Sequence, residues 1–481
     1  MNACCLIGLC GATPPGIDSL EQDGWLPQLS RGAARASIRF PAPLSAVAAW
    51  TTAITGQSPA QHGIFDLFRR ESSHGHRLRT MSARDMSFEA VWSYLDRHGM
   101  RSTILEYPLT IPPPRIAGHA AAGSWATSRQ LRFGCHPSDL PRYLSAAGFG
   151  DLDEFLFETP AEEVPAADVA EAWVRRQIAR ESRLLRILGH FLRNEPSHFS
   201  AVLLRAFGTV SAWHALSPAL RPAASLYFEA LDGELGKLRT DYPEMNFLFM
   251  SEPGPGPCST TFFVNDWLAA AGHFAWLDPG KLIDWTQTRA WCPLAGSGHL
   301  HLVRRDEEHP AGVADSEYRE YRSSLLSALA SLPEIERVWT AEELYAGPHE
   351  ELAPDLVLEP KPGIRISPLP RPAAAASESA VPGVPPAGIL RAFGPWFLAG
   401  PVPALVSLLD VAPLILYGLG LAIPAGLEGR VPAEIFDPEK LRAGPPRTED
   451  PSESSAAVGF RLDPEAEAEI TERLRSLGYV E

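Results

Sequence analysis

The chain has 481 residues, of which 45% are hydrophobic and 21% are charged. This composition is typical of a folded globular protein and argues against wholesale disorder. Lysine and arginine together number 42, against 58 aspartates and glutamates, so the formal net charge is −16. Nucleic acids and anionic membranes repel such an acidic chain. We therefore expect no nucleic-acid partner and no membrane partner.

The six cysteines form neither a disulfide framework nor a zinc-ribbon pattern. Three lie within the first ten residues, the other three are scattered, and no CxxC pair occurs. No basic segment precedes the short apolar N-terminus, so we expect neither a secretory signal nor a lipoprotein signal. These features together predict a cytoplasmic protein.

The first predicted element is a strand at residues 3–9, an unbroken apolar run (ACCLIGL) that ends at a Gly- and Pro-containing turn. A strand that is apolar on both faces is typical of the centre of a parallel sheet covered by helices on both sides. Residues 87–98 predict a helix, residues 102–105 a short strand, and residues 247–250 a second fully apolar strand. Strands that alternate with helices predict an α/β fold with a largely parallel central sheet.

Changes of composition along the chain predict the domain organisation. An acidic segment followed by an Arg-rich helical pattern predicts a helical cap inserted at about residues 110–195. Residues 367–387 are rich in Pro, Ala and Ser and predict a surface loop. We predict that residues 1–440 form one α/β domain and that residues 441–481 form a linker and a short C-terminal helix.

Residues 392–427 stand out by their hydropathy, because Asp410 is the one charged residue among them. A membrane-spanning helix needs about 20 consecutive apolar residues. Here five prolines and the acid interrupt the run, so the pattern predicts buried strands and short helices of a globular core. We expect Asp410 to cap the helix that begins at Val411.

Four segments resemble one known family in their order along the chain. They are residues 6–13 (LIGLCGAT), residues 49–66 (AWTTAITGQSPAQHGIFD), residues 409–421 (LDVAPLILYGLGL) and residues 474–479 (LRSLGY). Together they resemble the type I phosphodiesterase / nucleotide pyrophosphatase family of the alkaline phosphatase superfamily. The resemblance implies an alkaline-phosphatase-like α/β/α sandwich with a largely parallel central sheet and a helical cap insertion.

The resemblance also implies a defined chemistry. Members of this superfamily bind two divalent metals, commonly zinc, through Asp and His, and attack phosphorus with a Ser or Thr at a helix N-terminus. The two cations lower the pKa of the nucleophile and neutralise charge on the phosphoryl oxygens. Their ligands must be carboxylates and neutral imidazoles.

At the corresponding positions, most residues of this chain cannot bind a metal. The resemblance places Cys10 at the first Asp, Gly208 and Ala212 at an Asp and a His, Glu252 and Pro253 at an Asp-His pair, Val384 at a final His, and Ala46 at the nucleophile, with Ser45 directly before it. A thiolate and a carboxylate alone fall short of the three protein ligands that zinc normally requires. We therefore predict a pseudoenzyme with degenerate pocket positions, no intact catalytic residue and no cofactor.

Two of these positions keep an alternative open. Ser45 can act as a nucleophile if its register shifts by one residue, although an ordinary N-cap serine is the simpler interpretation. Cys10 and Glu252 can form a new single-metal or redox site, although a small buried thiol at a strand end is simpler.

Histidines elsewhere offer further candidate ligands. His299 and His301 lie on one face of a predicted strand, and His74 and His76 lie in a polar loop. Neither pair has a matching third ligand, so a solvated strand and a solvated loop are the simpler interpretations. His62 belongs to the HGI segment of the resemblance, and we predict a structural role for it.

The sequence leaves three functions open. The first is a non-catalytic protein that binds a small anionic ligand in the old pocket or pairs with an unknown protein partner. The second is an active metal-dependent phosphodiesterase or phosphatase that hydrolyses phosphate esters through Ser45, with two zinc or other divalent ions. The third is an assembly protein. The missing ligands favour the first over the second, and the negative charge of Glu252 disfavours anion binding.

Overall fold

The computed structural model describes residues 2–41, 43–72, 75–123, 134–151, 165–254, 256, 258, 260–371 and 387–449. The strands, in chain order, are β1 (Cys4–Leu9), β2 (Ala34–Arg39), β3 (Phe68–Arg70), β4 (Leu78–Thr80), β5 (Ser102–Leu105), β6 (Gly118–Ala121), β7 (Cys135–His136), β8 (Phe199–Leu204), β9 (Asn246–Met250), β10 (Thr260–Phe263), β11 (Trp276–Asp278), β12 (Leu282–Ile283), β13 (Ala290–Trp291), β14 (His299–Leu302), β15 (Ile335–Thr340), β16 (Leu356–Pro360), β17 (Ile364–Ser367), β18 (Gly388–Phe393), β19 (Gly400–Ser407), β20 (Ile423–Pro424) and β21 (Thr448–Glu449). The α-helices, in chain order, are α1 (Pro14–Gln22), α2 (Pro27–Ser30), α3 (Ala46–Thr55), α4 (Pro59–His62), α5 (Val91–Arg97), α6 (Leu140–Ala146), α7 (Ala167–Asn194), α8 (Phe207–Leu216), α9 (Arg221–Asp241), α10 (Val264–Ala270), α11 (Tyr318–Ala330), α12 (Ala341–Leu344), α13 (Val411–Leu419) and α14 (Pro438–Ala443).

A nine-stranded sheet forms the centre of the described residues. Its strand order is β19-β2-β18-β9-β1-β8-β5-β6-β7. The middle of the sheet is parallel, since β1 pairs with β8 and β9, and β5 pairs with β8 and β6, in that orientation. β18 runs antiparallel to β9 and β2, and β7 antiparallel to β6. The largely parallel central sheet predicted from the sequence is therefore confirmed.

Strand β1 is buried along its whole length because helices cover both faces of the sheet. Cys5 and Ile7 pack into the apolar core formed with α7, α8 and α9. Cys4 and Leu6 point to the opposite face and pack into a second core with Trp50 of α3 and with α13. Alternate side chains of a strand point to opposite faces of its sheet, so a centre strand must be apolar at every position. The predicted α/β/α layering follows from this burial.

Helix α7 lies within the segment predicted as a helical cap. Its apolar stripe, which includes Leu184, Leu188 and Phe191, packs against α9 and against β5 and β8 of the central sheet. This helix therefore belongs to a layer that covers the sheet. Residues 124–133 and 152–164 lie outside the described residues, and the cap boundaries stay a prediction.

A second, four-stranded sheet lies in the C-terminal half of the chain, with the order β13-β14-β16-β15 and antiparallel pairing throughout. It has its own apolar core, built with α10 and α11, to which Leu300, Leu325 and Leu358 contribute. Its strands have only two to six residues. Runs this short carry too few periods for a hydrophobic pattern to predict them.

The apolar stretch at residues 392–427 forms the short buried helix predicted for it, but at its described positions the strand β19 is mostly not buried: Leu405 is exposed, and Val406 is buried. All nine residues of α13 are buried. Among the described residues, no helix is both long and apolar enough to cross a membrane. Asp410 lies at the N-cap position of α13, but its carboxylate accepts hydrogen bonds from the backbone N–H groups of Ser407 at 3.0 Å and Arg430 at 2.8 Å. Asp410 is therefore the N-cap residue of α13, as predicted, but its side chain closes the preceding turn and holds a distant loop and does not bond the first turn of α13.

Some predicted features lie outside the described residues. They are Val384, most of the Pro/Ala-rich loop, and the C-terminal helix. Of the predicted linker, residues 441–449 are described: they complete α14 and form β21, which pairs in parallel with β20.

Candidate functional site

Three of the predicted pocket positions meet at the carboxyl ends of the central strands. Cys10 directly follows β1, Gly208 lies at the start of α8 just beyond β8, and Glu252 lies two residues beyond β9. The carboxyl ends of neighbouring parallel strands share one edge of a sheet, which is where α/β proteins bind ligands. The backbone N–H of Gly208 donates a hydrogen bond to the carbonyl oxygen of Cys10 at 2.9 Å. The resemblance therefore identified side chains and backbone that do lie close together.

Gly208 makes a backbone contact that excludes a side chain. A Cβ atom added there would lie 2.9 Å from Cα of Gly11 and 3.0 Å from the carbonyl oxygen of Cys10. Gly11 itself has a φ of 75°, which favours glycine. An aspartate at position 208 would thus require the loop after β1 to move.

Glu252 is 8% exposed and lies beside Cys10 and Trp50. Burial raises the pKa of Glu252 to about 7, although the backbone N–H groups of Glu252 and Gly11, and the charge of Arg205, favour the carboxylate. Burial also raises the pKa of the Cys10 thiol well above its usual range, and the negative charge of Glu252 raises it further. A protonated thiol is a poor metal ligand, because the thiolate is the species that binds.

A buried ion-pair network surrounds this edge of the sheet. Nη2 of Arg180 lies 2.8 Å from Oε2 of Glu106, and Nη1 lies 3.8 Å from Oε1 of Glu181, with all three side chains no more than 3% exposed. Glu181 also accepts hydrogen bonds from the backbone N–H of Ala206 at 2.9 Å and the hydroxyl of Tyr227 at 2.6 Å. Buried charges are stable only when such partners compensate their loss of hydration. We refer to Glu106, Arg180, Glu181, Arg205 and Glu252 as the edge network.

Arg205 places a second guanidinium in the edge network. Burial lowers its pKa, while the charges of Glu106, Cys10 and Glu252 lie close enough to raise it. The resemblance did not identify Arg205 or Glu106. Each directly follows a fully buried strand, at the carboxyl end of β8 or β5, and this position is a signal that could have identified both. Arg180 and Glu181 lie on the Arg-rich α7 and carry no comparable signal.

The donor groups at this edge do not fit a pair of divalent cations. At the described positions where the family resemblance implies ligands, Gly208, Ala212 and Pro253 offer no ligand side chain, which leaves Cys10 and Glu252. Two guanidinium groups already compensate the carboxylates, and a cation placed close to them would be repelled. The described part of the edge therefore holds a charge-compensated network where the family resemblance implies a two-metal ligand set.

The remaining predicted positions lie on the helices and loops around the edge network. Ala212 is half-buried in α8, Pro253 is half-buried directly after Glu252, and Ala46 is the first residue of α3. Val384 lies outside the described residues.

Ser45 is the N-cap residue of α3. Its Oγ accepts a hydrogen bond from the backbone N–H of Ala48 at 3.2 Å and donates one to the carbonyl oxygen of Phe65 at 2.9 Å. The hydroxyl also lies close to Asp66, a carboxyl whose pKa burial raises to about 6 against the opposing effect of neighbouring hydrogen bonds. Ser45 thus forms the N-cap that its sequence context predicts.

His299 and His301 are buried, so the prediction of a solvated strand is wrong. Nδ1 of His299 lies 3.6 Å from Oδ2 of Asp66, and Nδ1 of His301 lies 4.0 Å from Oδ2 of Asp355. The segment leading into β3 covers this face, and Arg70 donates a hydrogen bond to the carbonyl oxygen of the strand's last residue at 3.0 Å. Burial lowers the pKa of His299 to about 4, which keeps the imidazole neutral.

His62 has the structural role predicted for it. The ring is fully buried, and Nδ1 accepts a hydrogen bond from the backbone N–H of Ile64 at 3.1 Å. The proton therefore resides on Nε2, which lies 3.0 Å from Oγ1 of Thr52. Burial lowers the pKa of His62 to about 3, so this pairing persists at neutral pH.

Comparison with known proteins adds an independent line of evidence. A model of the type I phosphodiesterase / nucleotide pyrophosphatase family matches residues 10–373. Among solved structures, wild-type alkaline phosphatase PafA is 12% identical, with a TM-score of 0.58 over 90% of this chain and 98% of that one. Phosphonoacetate hydrolase from Sinorhizobium meliloti 1021, in complex with phosphonoacetate, is 15% identical, with a TM-score of 0.52 over 87% and 95% of the two chains. Human ectonucleotide pyrophosphatase / phosphodiesterase 5 is 13% identical, with a TM-score of 0.51 over 87% and 95%.

A search of curated protein sequences finds no significant match. At the identities given above, the solved structures establish the alkaline-phosphatase-like fold alone. The family model covers well over half of the chain. The chain therefore belongs to the type I phosphodiesterase / nucleotide pyrophosphatase family.

Proposed function

We propose that this chain is a pseudoenzyme of the family, which keeps the phosphodiesterase scaffold without the two-metal hydrolytic centre and acts in binding or assembly. The observation that carries the proposal is the edge network, in which the guanidinium groups of Arg180 and Arg205 compensate the buried carboxylates. A guanidinium group is fixed to the chain and cannot activate a nucleophile by coordination, as a metal ion does.

Phosphoryl transfer depends on positioned positive charge next to the transferring group. At this edge the two guanidinium charges already pair with Glu106, Glu181 and Glu252. The nearest hydroxyl at the family's nucleophile position, that of Ser45, is held by Phe65 and by the first turn of α3. Neither the charge nor the nucleophile is free for the chemistry of the family.

The competing function is an active phosphodiesterase or phosphatase that uses Ser45 and two zinc or other divalent ions. The proximity of the hydroxyl to Asp66 favours it, because a carboxylate can accept the proton of a nucleophile. Two observations disfavour it. Cys10 and Glu252 are the only ligand side chains among the described family metal positions, and two ligands do not hold two metals. The carboxylates of the edge network already pair with guanidinium groups.

The charges at this edge disfavour binding of a small anion. Three carboxylates oppose an incoming anion, and their guanidinium partners are already engaged. We therefore expect that phosphate, sulfate and nucleoside monophosphates do not raise the melting temperature, because a ligand stabilises a fold only if it binds the folded state. The partner and the cytoplasmic location stay predictions.

The test is a hydrolysis assay on the full chain, with one phosphodiester and one phosphomonoester of p-nitrophenol, in the presence of zinc. The expected result is turnover no higher than that of the Ser45→Ala variant. Turnover that Ser45→Ala removes, and that a chelator abolishes in the unmodified chain, would establish the competing function.

A further inference from the structure

A cluster of metal-ligand side chains lies where the β3–β4 hairpin meets the loop after β14. His76 lies between β3 and β4, and Glu308 and His309 lie between β14 and α11. One ligand atom of each of these three residues lies within 4.8 Å of those of the other two. Different elements from those of the edge network form this group, which we call the hairpin cluster.

The two imidazoles of the hairpin cluster face each other. Nδ1 of His76 lies 2.7 Å from Nε2 of His309. On the other side of the His309 ring, Nδ1 lies 2.6 Å from Oδ1 of Asp306, which also accepts the backbone N–H of His309 at 2.8 Å. A carboxylate can only accept here, so the proton resides on Nδ1 and the lone pair of Nε2 points toward His76. Histidine ligands of metals are held in this way, with the second ring nitrogen donating to a carboxylate.

The surroundings of His76 hold its ring in place. The indole of Trp285 stacks on it, with the ring centroids 4.1 Å apart and the planes 17° from parallel. Nδ1 of His76 faces Nε2 of His309 and therefore donates its proton to that lone pair. A metal ion that enters between the two rings displaces this proton, since metal binding releases protons from its ligands.

Glu308 supplies the third donor. Its side chain is 60% exposed and pairs with an Arg77 that is 67% exposed, at 3.3 Å. Such exposed ion pairs contribute little to stability, so the carboxylate can change partner at low cost. Its oxygen is within reach of a cation that both imidazoles bind.

We propose that His76, Glu308 and His309 bind a single divalent ion of the zinc class. Two imidazoles and one carboxylate, with a fourth position open to water, are a donor set that zinc accepts, whereas calcium and magnesium prefer oxygen ligands throughout. The ion would join the β3–β4 hairpin to the loop of the second sheet, while Asp306 orients His309. This inference does not depend on the proposed function, because no member of the edge network takes part.

The experiment is a zinc titration of the full chain after removal of metals by a chelator, at about neutral pH, followed by calorimetry and elemental analysis. We expect about one zinc ion per chain, which His76→Gln and His309→Gln each abolish. Asp306→Asn should weaken binding by about 10- to 100-fold, the usual effect of losing a carboxylate that orients a ligand. The matched control is His98→Gln, since His98 is an exposed histidine that is not part of the hairpin cluster, and its Nδ1 lies 2.9 Å from the carbonyl oxygen of Tyr94. This variant should bind zinc as the unmodified chain does.

Two further readouts keep the outcome clear. Glu308→Gln changes an exposed side chain, so the variant should fold normally. It should nevertheless bind zinc more weakly than the unmodified chain, because it lacks the third donor. Cobalt in place of zinc should give a spectrum without a sulfur charge-transfer band, which excludes the thiol of Cys10 as the ligand. If the unmodified chain binds no zinc, or if the double variant of His76 and His309 binds it unchanged, the two rings form only an imidazole–imidazole hydrogen bond and the proposal is wrong.

Discussion

The edge network and the hairpin cluster differ in the groups that their carboxylates and ring nitrogens contact. In the edge network, guanidinium groups already compensate carboxylates that are no more than 8% exposed. In the hairpin cluster, one ring nitrogen of each imidazole faces the other at 2.7 Å, and the acid beside them is exposed. The fold places the first group where the family binds metals, yet the second has the better donor set. Charge balance and the donor set, more than position in the fold, decide where a metal can bind.

The largest effect on stability should come from removing a guanidinium group from the edge network, because this directly tests whether its buried charges are compensated. Arg180→Met removes a guanidinium that pairs with the carboxylates of Glu106 and Glu181 in a buried site. We expect a loss of about 3–5 kcal/mol in the free energy of unfolding, measured by urea denaturation.

The control for that change is Arg175→Met on the same helix. Arg175 pairs with Glu171 one turn earlier, and both side chains are exposed, so the loss should be only about 0.3–0.5 kcal/mol. Equal effects of the two substitutions would show that the buried network is not a compensated charge cluster.

The next effect is a pH dependence that Glu252 causes. The pKa of Glu252 is about 7 in the folded chain, whereas its ordinary value, which applies to the unfolded chain, is 4.5. As the pH rises, the unfolded state therefore loses the proton first. Stability from this residue is therefore complete below about pH 4.5 and falls as the pH rises towards 7, by about 3 kcal/mol at most. Glu252→Gln should flatten the stability profile in this window. Identical profiles for the two proteins between about pH 4 and pH 8 would contradict the assignment.

A smaller effect should follow from filling the backbone contact at Gly208. Gly208→Ala places a Cβ within about 3 Å of Gly11 and Cys10, so we expect a loss of about 1–3 kcal/mol from overpacking. Gly233→Ala is the control, because position 233 is exposed in α9 and a Cβ there meets nothing within 4 Å. That control should raise the stability by about 0.4–1 kcal/mol. Effects of the same sign at both positions would argue against the close contact.

The smallest effect concerns Ser45. Ser45→Ala removes the N-cap of α3 and should cost about 1 kcal/mol in thermal or chemical denaturation. We expect no loss of phosphatase or phosphodiesterase turnover, since none is expected in the unmodified chain. A Ser45→Ala variant of unchanged stability that loses measurable turnover would assign Ser45 to catalysis.

The sequence predicts the centre of the fold well because the central strands are apolar on both faces. The runs at residues 3–9, 102–105 and 247–250 match β1, β5 and β9 to within one residue at either end. The second sheet escapes prediction because its strands are short and its partners are far apart in the chain. His301 shows the same difficulty at one residue: an alternating His-Leu pattern predicts a solvated face, and only the tertiary structure shows that a distant hairpin covers it.

The candidate sites show the same distinction between residues that the local sequence identifies and residues that only the tertiary structure brings together. The resemblance brings Cys10 and Glu252 together because Cys10 directly follows β1 and Glu252 lies two residues beyond β9. The resemblance does not identify Arg205 and Glu106. These two residues lie beside Cys10 only because β5, β8 and β1 are neighbours in the sheet, and the sequence does not show this pairing. The pairing of His76 with His309 spans 233 residues, and no local pattern predicts it.

The most direct test of the account is the zinc content of the purified chain after incubation with zinc and gel filtration, compared with the His76→Gln, His309→Gln double variant. The proposed loss of the two-metal centre, together with the proposed zinc site at the hairpin cluster, predicts about one zinc ion per unmodified chain and none in the double variant. Two zinc ions that remain in the double variant would contradict it, because they would have to lie at the carboxyl ends of the central strands.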